Sequence, residues 1–202
     1  MIKVGITGGI GTGKTFVCTL FKTFGIPVYD ADSVAKALVE SDPELKENII
    51  KNFGRASYTA SGHYNRSYIR HIVLSDEKAR ALLNSIIHPS VFKDNLAWFE
   101  KMKAAGYPYA IKEAAILFET KSNQSLDKVI VVDAPVSLRI QRIIARDRIT
   151  QEEALIRINN QMPQEEKVKQ ADYVIVNDGQ HPVIPQVYKL HQLFIALSIV
   201  PL

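Results

Sequence analysis

A glycine-rich turn at residues 8–15 constrains this chain more than any other stretch. It reads Gly-Gly-Ile-Gly-Thr-Gly-Lys-Thr and follows the short apolar run Ile2–Thr7. The turn matches the pattern G-x-x-x-x-G-K-[ST], in which glycines let successive backbone N–H groups point into one concavity that fits a phosphate group. The sequence therefore predicts a strand, a phosphate-binding loop and a helix, in that order.

Residues within the loop have distinct predicted roles. Lys14 is long enough to reach the outer phosphates of a nucleotide such as ATP, and the Thr15 hydroxyl is placed to bind Mg²⁺. The following helix has the apolar periodicity of a helix packed on a sheet, and it ends at Gly25. The alternative, a turn without a ligand, gives no reason for the identities of Lys14 and Thr15. We expect nucleotide contacts from Gly9, Gly11, Thr12, Gly13, Lys14, Thr15 and Phe16.

Composition limits the class of protein. The chain has 202 residues, of which 47% are hydrophobic, so we expect one domain with an insertion and an ample core. The net charge of +4 suits an anionic ligand, but the lysines are scattered, so we expect no nucleic acid partner. The single cysteine, Cys18, excludes a disulfide within the chain and fits the cytoplasm. No signal peptide is visible, and the apolar tail 193–200 is too short to span a membrane.

Five short apolar runs are predicted to be strands. Near-continuous apolar character is typical of parallel strands that are buried on both faces, and helical patterns separate the runs. The predicted fold is an α/β three-layer sandwich with a five-stranded parallel sheet. The runs are Ile2–Thr7, Pro27–Tyr29, Tyr109–Glu113, Lys128–Asp133 and Tyr173–Asn177.

Two carboxylates follow the second predicted strand. Asp30 and Asp32 come directly after Tyr29. In open α/β sheets, ligands bind at the C-terminal ends of the strands. One of the pair is therefore placed to accept a proton from an attacking hydroxyl or to help hold Mg²⁺. The alternative is that one of them only caps the helix expected to begin at Ser33.

Residues 33–104 have too few strand patterns to belong to the sheet. We predict that they form a helical insertion that binds the acceptor of a phosphoryl group. Pro89 is expected to separate its last two helices. The helical patterns cover residues 33–40, 43–52, 67–73, 76–87 and 89–104, and a final helix is expected at 182–197.

Three arginines recur in the helix that follows Pro135. Arg139, Arg142 and Arg146 have spacings of three and four and therefore share one helical face. Such a face suits a mobile flap that closes over phosphates. The alternative is a solvated basic face.

Six segments, taken in order, closely resemble the dephospho-coenzyme A kinase family. They are Thr-Gly-Gly-Ile-Gly-Thr-Gly-Lys (7–14), Asp-Ala-Asp (30–32), Leu-Leu-Asn-x-Ile-x-His-Pro (82–89), Leu-Phe-Glu (117–119), Arg-Ile-x-x-Gln (157–161) and Ala-Asp-Tyr-Val-Ile-x-Asn (171–177). The resemblance implies ATP-dependent phosphorylation of the ribose 3′-hydroxyl of dephospho-coenzyme A, the final step of coenzyme A synthesis. It also implies a P-loop NTPase-like core, at residues 1–32 and 105–202, a helical coenzyme A domain at 33–104 and a helical lid at 137–162.

The resemblance implies roles for particular residues. Asp32 would be the base or orient the hydroxyl, while Lys14 and Arg142 would act on the phosphates. The residues implied near the acceptor are Thr7, Asp32, Arg66 and His88. We further expect a monomer or weak homo-oligomer.

Some positions depart from the usual family pattern. Phe16 stands where the family usually has a small hydroxyl residue, and Glu113 stands where an aspartate is frequent. Ser61 and Asn65 replace acids in the loop before Arg66. For His88, the alternative role is that of a helix-start residue.

The sequence leaves two alternatives to a dephospho-coenzyme A kinase. One alternative is another P-loop kinase of small metabolites or nucleosides, and another is a nucleotide-binding module without chemistry. A switch GTPase would need Asn-Lys-x-Asp and Asp-x-x-Gly, and the chain contains neither pattern.

Overall fold

A five-stranded sheet forms the centre of the computed structural model, which describes residues 1–199 except for the side chain at position 75. The strand order is β2-β3-β1-β4-β5, and every neighbouring pair is parallel. The predicted five-stranded parallel sheet is therefore confirmed, with strand ends within one residue of the prediction. The strands are β1 Ile2–Thr7, β2 Val28–Asp30, β3 Tyr109–Glu113, β4 Lys128–Asp133 and β5 Tyr173–Val176.

The parallel arrangement collects the functional strand ends at one edge of the sheet. β1 lies in the middle and pairs with β3 on one side and β4 on the other. The β2–β3 register places Asp30 directly opposite Glu113. Because parallel strands point the same way, the loop after β1 and these two carboxylates share the C-terminal edge, where ligands of α/β proteins bind.

Two helices pack against the sheet in its main hydrophobic core. They are α1 Lys14–Thr23 and α9 Val183–Ile199. Phe21 of α1, Tyr109 of β3 and Phe194 of α9 are completely buried, and the Tyr109 ring meets both phenylalanines edge to face. The predicted final helix is present, whereas Val200 of the apolar tail lies outside the described residues. Within residues 1–199, no helix combines the length and apolar character needed to cross a membrane.

The chain divides into two compact units. One contains the sheet and comprises Met1–Asp30 and the chain from Phe99 onward; the other, Ala31–Trp98, is helical. Buried Leu45, Ile49 and Ile69 belong to the core of the helical unit. Its helices are α2 Ala31–Ser41, α3 Pro43–Phe53, α4 Arg66–Ser75 and most of α5 Glu77–Ala104, with a short 3₁₀ turn at Arg55–Ser57.

The predicted helix break at Pro89 is wrong. α5 runs without interruption through this proline, so His88 lies inside a helix and is not a helix-start residue. A proline removes one backbone hydrogen bond and strains the preceding turn. Here Leu83 and Val91 are buried on either side of Pro89, so packing holds both halves of the helix in place. Similarly, α2 begins at Ala31, which places Asp32 in its first turn.

Three shorter helices follow β4 in the sheet-containing unit. They are α6 Val136–Asp147, α7 Gln151–Asn159 and α8 Gln164–Lys169, and a 3₁₀ turn at Ser122–Ser125 precedes β4. Thr150 and Glu153 form a capping box at the start of α7. Asp147 accepts hydrogen bonds from Arg146 of α6 and Arg157 of α7. These bonds tie α6 and α7 into a helical hairpin.

Candidate active site

The loop between β1 and α1 has the backbone conformation of a phosphate-binding loop. Gly11 and Gly13 have φ angles of +82° and +93°, which favour glycine. A Cβ atom on Gly11 would lie only 2.7 Å from the Arg139 carbonyl oxygen. Within residues 1–199, the N–H groups of Gly11 and Gly13 have no protein acceptor. Because α1 begins at Lys14, these amides lie at the positive end of a helix, where anions bind.

Side chains of the loop also make bonds within it. The Lys14 ammonium donates to the carbonyls of Gly8 at 2.8 Å and Gly9 at 3.3 Å. Thr12 is completely buried, and its hydroxyl donates to the Gly9 carbonyl at 2.9 Å. Any nucleotide contact of Thr12 in this conformation therefore comes from its backbone. Phe16, in contrast, is half exposed on α1.

Thr7 is the last residue of β1 and is also completely buried. Its hydroxyl donates to the Ala115 carbonyl at 3.4 Å. This bond links the start of the loop to the segment that follows β3. The expected contact of Thr7 with a substrate stays a prediction.

Two carboxylates and two hydrogen-bonding side chains of α1 form a cluster beside the loop. The Thr15 hydroxyl donates to Glu113 Oε1 at 3.4 Å, and the Cys18 thiol also bonds to this carboxylate. Burial raises the pKa of Glu113, and the negative charge of Asp30 raises it further, while Lys14 opposes both effects. Burial likewise raises the pKa of the Cys18 thiol. The thiol is therefore a buried core group and not a reactive one.

The oxygen donors of this cluster fit Mg²⁺. Thr15 supplies a hydroxyl, and Asp30 and Glu113 supply carboxylates. Among the residues described, no group of three or more His, Cys, Asp or Glu side chains could hold a metal ion. The hydroxyl and two carboxylates of the cluster nevertheless suit Mg²⁺, which is usually held by one or two carboxylates together with waters and substrate phosphates.

Side chains from α6 hold the outer side of the loop. Arg139 is only 2% exposed, and its Nε donates to the Ile10 carbonyl at 2.9 Å. Arg142 donates to the carbonyls of Gly11 and Thr12, and also to the backbone and side-chain oxygens of Asn177. A solvated basic face is therefore wrong for Arg139, because burial of a guanidinium requires such partners. Only Arg146 matches that alternative, since it is exposed and pairs with Asp147.

Several residues of the site were not among the predicted site residues. Glu113 is the last residue of the apolar strand β3, so the rule that selected Asp30 and Asp32 would also have selected it. The others act on the loop from distant parts of the chain, and although Gln161 and Asn177 end two of the family-like segments, their contacts with the loop were not predicted. Asn177 Nδ2 donates to the Thr12 carbonyl at 2.8 Å, Gln164 Oε1 accepts from Gly9 N–H at 2.8 Å, and Gln161 Oε1 accepts from Ile10 N–H at 2.7 Å.

The remaining predicted residues belong to the helical unit. Asp32 is exposed in the first turn of α2, Arg66 is exposed at the start of α4, and His88 is half buried in α5. This unit also contains a cavity of about 670 Å³ between α2, α3 and α5, and none of these three residues lines it. Their acceptor-binding roles stay predictions.

Comparison with known proteins identifies a closely matching family. A family model described as dephospho-CoA kinase matches residues 2–182. The dephospho-CoA kinase of Coxiella burnetii is 34% identical over 200 residues, which cover 98% of this chain and 99% of that protein. The dephospho-CoA kinase of Chlorobaculum tepidum is 42% identical over 182 residues, with 88% and 87% covered. The crystal structure of TT1252 from Thermus thermophilus has a TM-score of 0.79 and 30% identity, with 97% of both chains covered.

Proposed function

This chain belongs to the dephospho-CoA kinase family, and we propose that it transfers the γ-phosphoryl group of ATP to the ribose 3′-hydroxyl of dephospho-coenzyme A. The products are coenzyme A and ADP. The observation that carries the proposal is the phosphate loop, with Lys14 and Thr15 next to the carboxylates Asp30 and Glu113 at the C-terminal edge of the sheet.

Phosphoryl transfer depends mostly on positioning and on the stabilisation of negative charge. The loop amides and the N-terminus of α1 bind the phosphates of ATP, and the Lys14 ammonium neutralises their outer oxygens. In the structure this ammonium donates hydrogen bonds to the carbonyls of Gly8 and Gly9, so it is already positioned at the loop. Arg142 contributes a second cation from α6. No covalent enzyme intermediate is needed, because the acceptor hydroxyl attacks the γ-phosphorus directly.

Mg²⁺ is the metal that we propose for this site. The Thr15 hydroxyl would be its protein ligand, and Glu113 and Asp30 would hold its water ligands. When bound, the metal adds positive charge next to the β- and γ-phosphates. The 3.4 Å contact between Thr15 and Glu113 supports this set, since it brings two oxygen donors together at the loop.

Asp32 is the residue that we assign to the acceptor hydroxyl. It lies two residues after Asp30, at the exposed N-terminal turn of α2. A helix N-terminus stabilises the ionised form of a carboxylate, which is the form that can accept a hydrogen bond from the attacking hydroxyl. Asp32 therefore orients the hydroxyl and takes its proton as the new bond forms.

The organisation of the chain follows from these roles. Residues 33–104 bind the coenzyme A substrate, with Arg66 and His88 near the acceptor, and residues 137–162 form a lid over the phosphates. The contacts of Arg139 and Arg142 with the loop support a lid that is attached directly beside the ATP site. A cytoplasmic location and a monomeric or weakly oligomeric state also belong to this proposal, as does the absence of nucleic acid and membrane partners.

An ADP-release assay with ATP, Mg²⁺ and dephospho-coenzyme A tests the proposed function. We expect ADP release to require the acceptor, and we expect mass spectrometry to show a product heavier by one phosphate. ATP binding without transfer would contradict the assigned acceptor. In that case, a panel of other hydroxyl metabolites would identify the correct acceptor.

A further inference from the structure

Ile10, at the top of the phosphate loop, is held on both sides by side chains that the proposed reaction does not use. Its N–H donates to Gln161 Oε1 at 2.7 Å, and its carbonyl accepts from Arg139 Nε at 2.9 Å. The neighbouring Gly9 N–H donates to Gln164 Oε1 at 2.8 Å. Each of these two N–H groups is therefore already bonded to a glutamine oxygen.

Gln161 lies at the boundary between an anchored segment and a helical hairpin. The chain after it is fixed to the sheet-containing core: Gln164 Nε2 donates to the Val132 carbonyl at 3.0 Å. Lys167 is completely buried and donates to the Ala115 carbonyl at 2.8 Å. The chain before it is α7, which is bonded to α6 through Asp147. Gln161 is thus the point where the α6–α7 hairpin rejoins the core.

The other end of the hairpin is attached to the same loop. Arg142 donates to the carbonyls of Gly11 and Thr12. The hairpin is therefore bonded to the loop through α6 and again at Gln161, where the chain rejoins the core. Of these residues, Arg142 also supplies a cation to the reaction, whereas Gln161 supplies only a neutral acceptor.

We propose that Gln161 is a positioning residue for phosphoryl transfer, which accepts the hydrogen bond of the Ile10 N–H and thereby keeps the phosphate loop in the shape that binds ATP. The inference rests on the proposed function only in taking this loop as the ATP site. Gln161 acts through the backbone and touches no substrate. Its effect should therefore appear in the affinity for ATP and not in the affinity for the acceptor.

Two substitutions of Gln161 test this role, because one removes the oxygen that accepts the hydrogen bond and the other keeps it. Gln161→Met keeps the length of the side chain but removes the oxygen, so we expect the Kd and KM for ATP to rise about tenfold, as for loss of a partly buried hydrogen bond. Gln161→Glu keeps an acceptor in the same place but adds a negative charge beside the loop, so we expect a smaller loss of ATP affinity than in Gln161→Met. The KM for dephospho-coenzyme A should not change in either variant. Gln192→Met is the matched control, since Gln192 is exposed on α9 and lies outside the proposed lid.

A second pair of variants keeps the test decisive if Gln161→Met does not fold. Gln164 uses both ends of its amide, because Oε1 accepts from Gly9 and Nε2 donates to Val132. Gln164→Glu adds the same charge and would also place a carboxylate against that carbonyl, so we expect it to weaken ATP binding more than Gln161→Glu does. Normal ATP binding by Gln161→Met would overturn the inference, as would equal losses in both glutamate variants. A wild-type protein that binds ATP but does not phosphorylate dephospho-coenzyme A would reject the proposed function alone.

Discussion

Asp30 and Glu113 face each other across the parallel pair β2–β3, where both strands end beside the phosphate loop. The negative charge of Asp30 disfavours ionisation of Glu113. Burial is the larger cause of the raised pKa of Glu113, the charge of Asp30 adds to it, and the Lys14 ammonium partly compensates. The site therefore contains a carboxyl group whose ionisation costs free energy until cations are bound nearby.

We expect Glu113→Gln to be more stable than wild type at neutral pH. The pKa of Glu113 in the folded state is raised above its ordinary value of 4.5. Its contribution to stability is therefore complete below that value and is lost as the pH rises through the folded-state pKa. Thermal unfolding from pH 4 to pH 8 should show the difference in Tm growing towards neutral pH. A difference in Tm that grows towards acidic pH would contradict a raised pKa of Glu113. Glu47→Gln, an exposed change on α3, serves as the control.

The same variant should be a poorer enzyme. A glutamine keeps the shape of Glu113 but removes the negative charge that we assign to holding Mg²⁺. We expect the Mg²⁺ concentration at half-maximal rate to rise about tenfold, in the range for loss of a supporting metal contact. The measurement is a Mg²⁺ titration at saturating ATP. An unchanged midpoint would remove Glu113 from the metal site.

Asp32→Asn tests the assignment of the acceptor hydroxyl. The amide preserves the size of the side chain but cannot take the proton, so we expect kcat to fall by about 10²–10⁴. The Kd for ATP should not change, because Asp32 is assigned to the acceptor. Calorimetry of ATP binding beside steady-state turnover would show both effects. Turnover close to that of wild type would remove the catalytic role of Asp32.

Lys14→Met tests the cation at the loop. It removes the charge that neutralises the outer phosphates, and we expect kcat/KM for ATP to fall by about 10²–10³. The far-ultraviolet circular dichroism should match wild type, since the rest of α1 remains intact. Lys22→Met, in the last turn of the same helix, is the control and should keep its turnover. Equal losses of kcat/KM in the two variants would mean that the effect comes from the net charge of the protein and not from the position of Lys14.

Lys167→Met should destabilise the protein far more than the neighbouring Lys169→Met. Lys167 is fully buried and forms an ion pair with Glu119 at 2.7 Å, so its loss leaves that carboxylate without its buried cation. We expect a loss of about 3 kcal/mol in the free energy of unfolding. Lys169 pairs with Glu166 on the surface, where solvent screens the two charges, so we expect loss of this ion pair to change stability little. Urea unfolding measures the stability of both variants. Equal midpoints would show that the Glu119 pair stabilises the fold no more than the surface pair does.

The parts of the fold that depend on local patterns could be predicted from the sequence. The strands were visible because burial on both faces leaves apolar runs such as Val129–Val132. The helix break predicted at Pro89 is wrong. The effect of a proline is local, whereas the packing of Leu83 and Val91 that overrides it depends on the rest of the fold. The strength of tertiary packing cannot be read from the proline itself.

The candidate site shows the same division. Lys14 and Thr15 are defined by a contiguous motif, and the structure places both at the loop. Gln164 and Asn177 could not be predicted as loop contacts, since each meets the loop from more than 150 residues away along the chain. Arg139 is an intermediate case. Its spacing correctly predicted a shared face with Arg142, but not that this face would be buried against the backbone of the loop.

The bond between Asn177 and the Thr12 carbonyl has a consequence for the order of events during translation. The two residues are 165 positions apart, so the ribosome makes the loop long before it makes the side chain that braces it. A nascent chain that ends before Asn177 already carries the nucleotide-binding motif but lacks this support. The complete set of contacts on the loop can therefore form only after β5 and Asn177 have been synthesised.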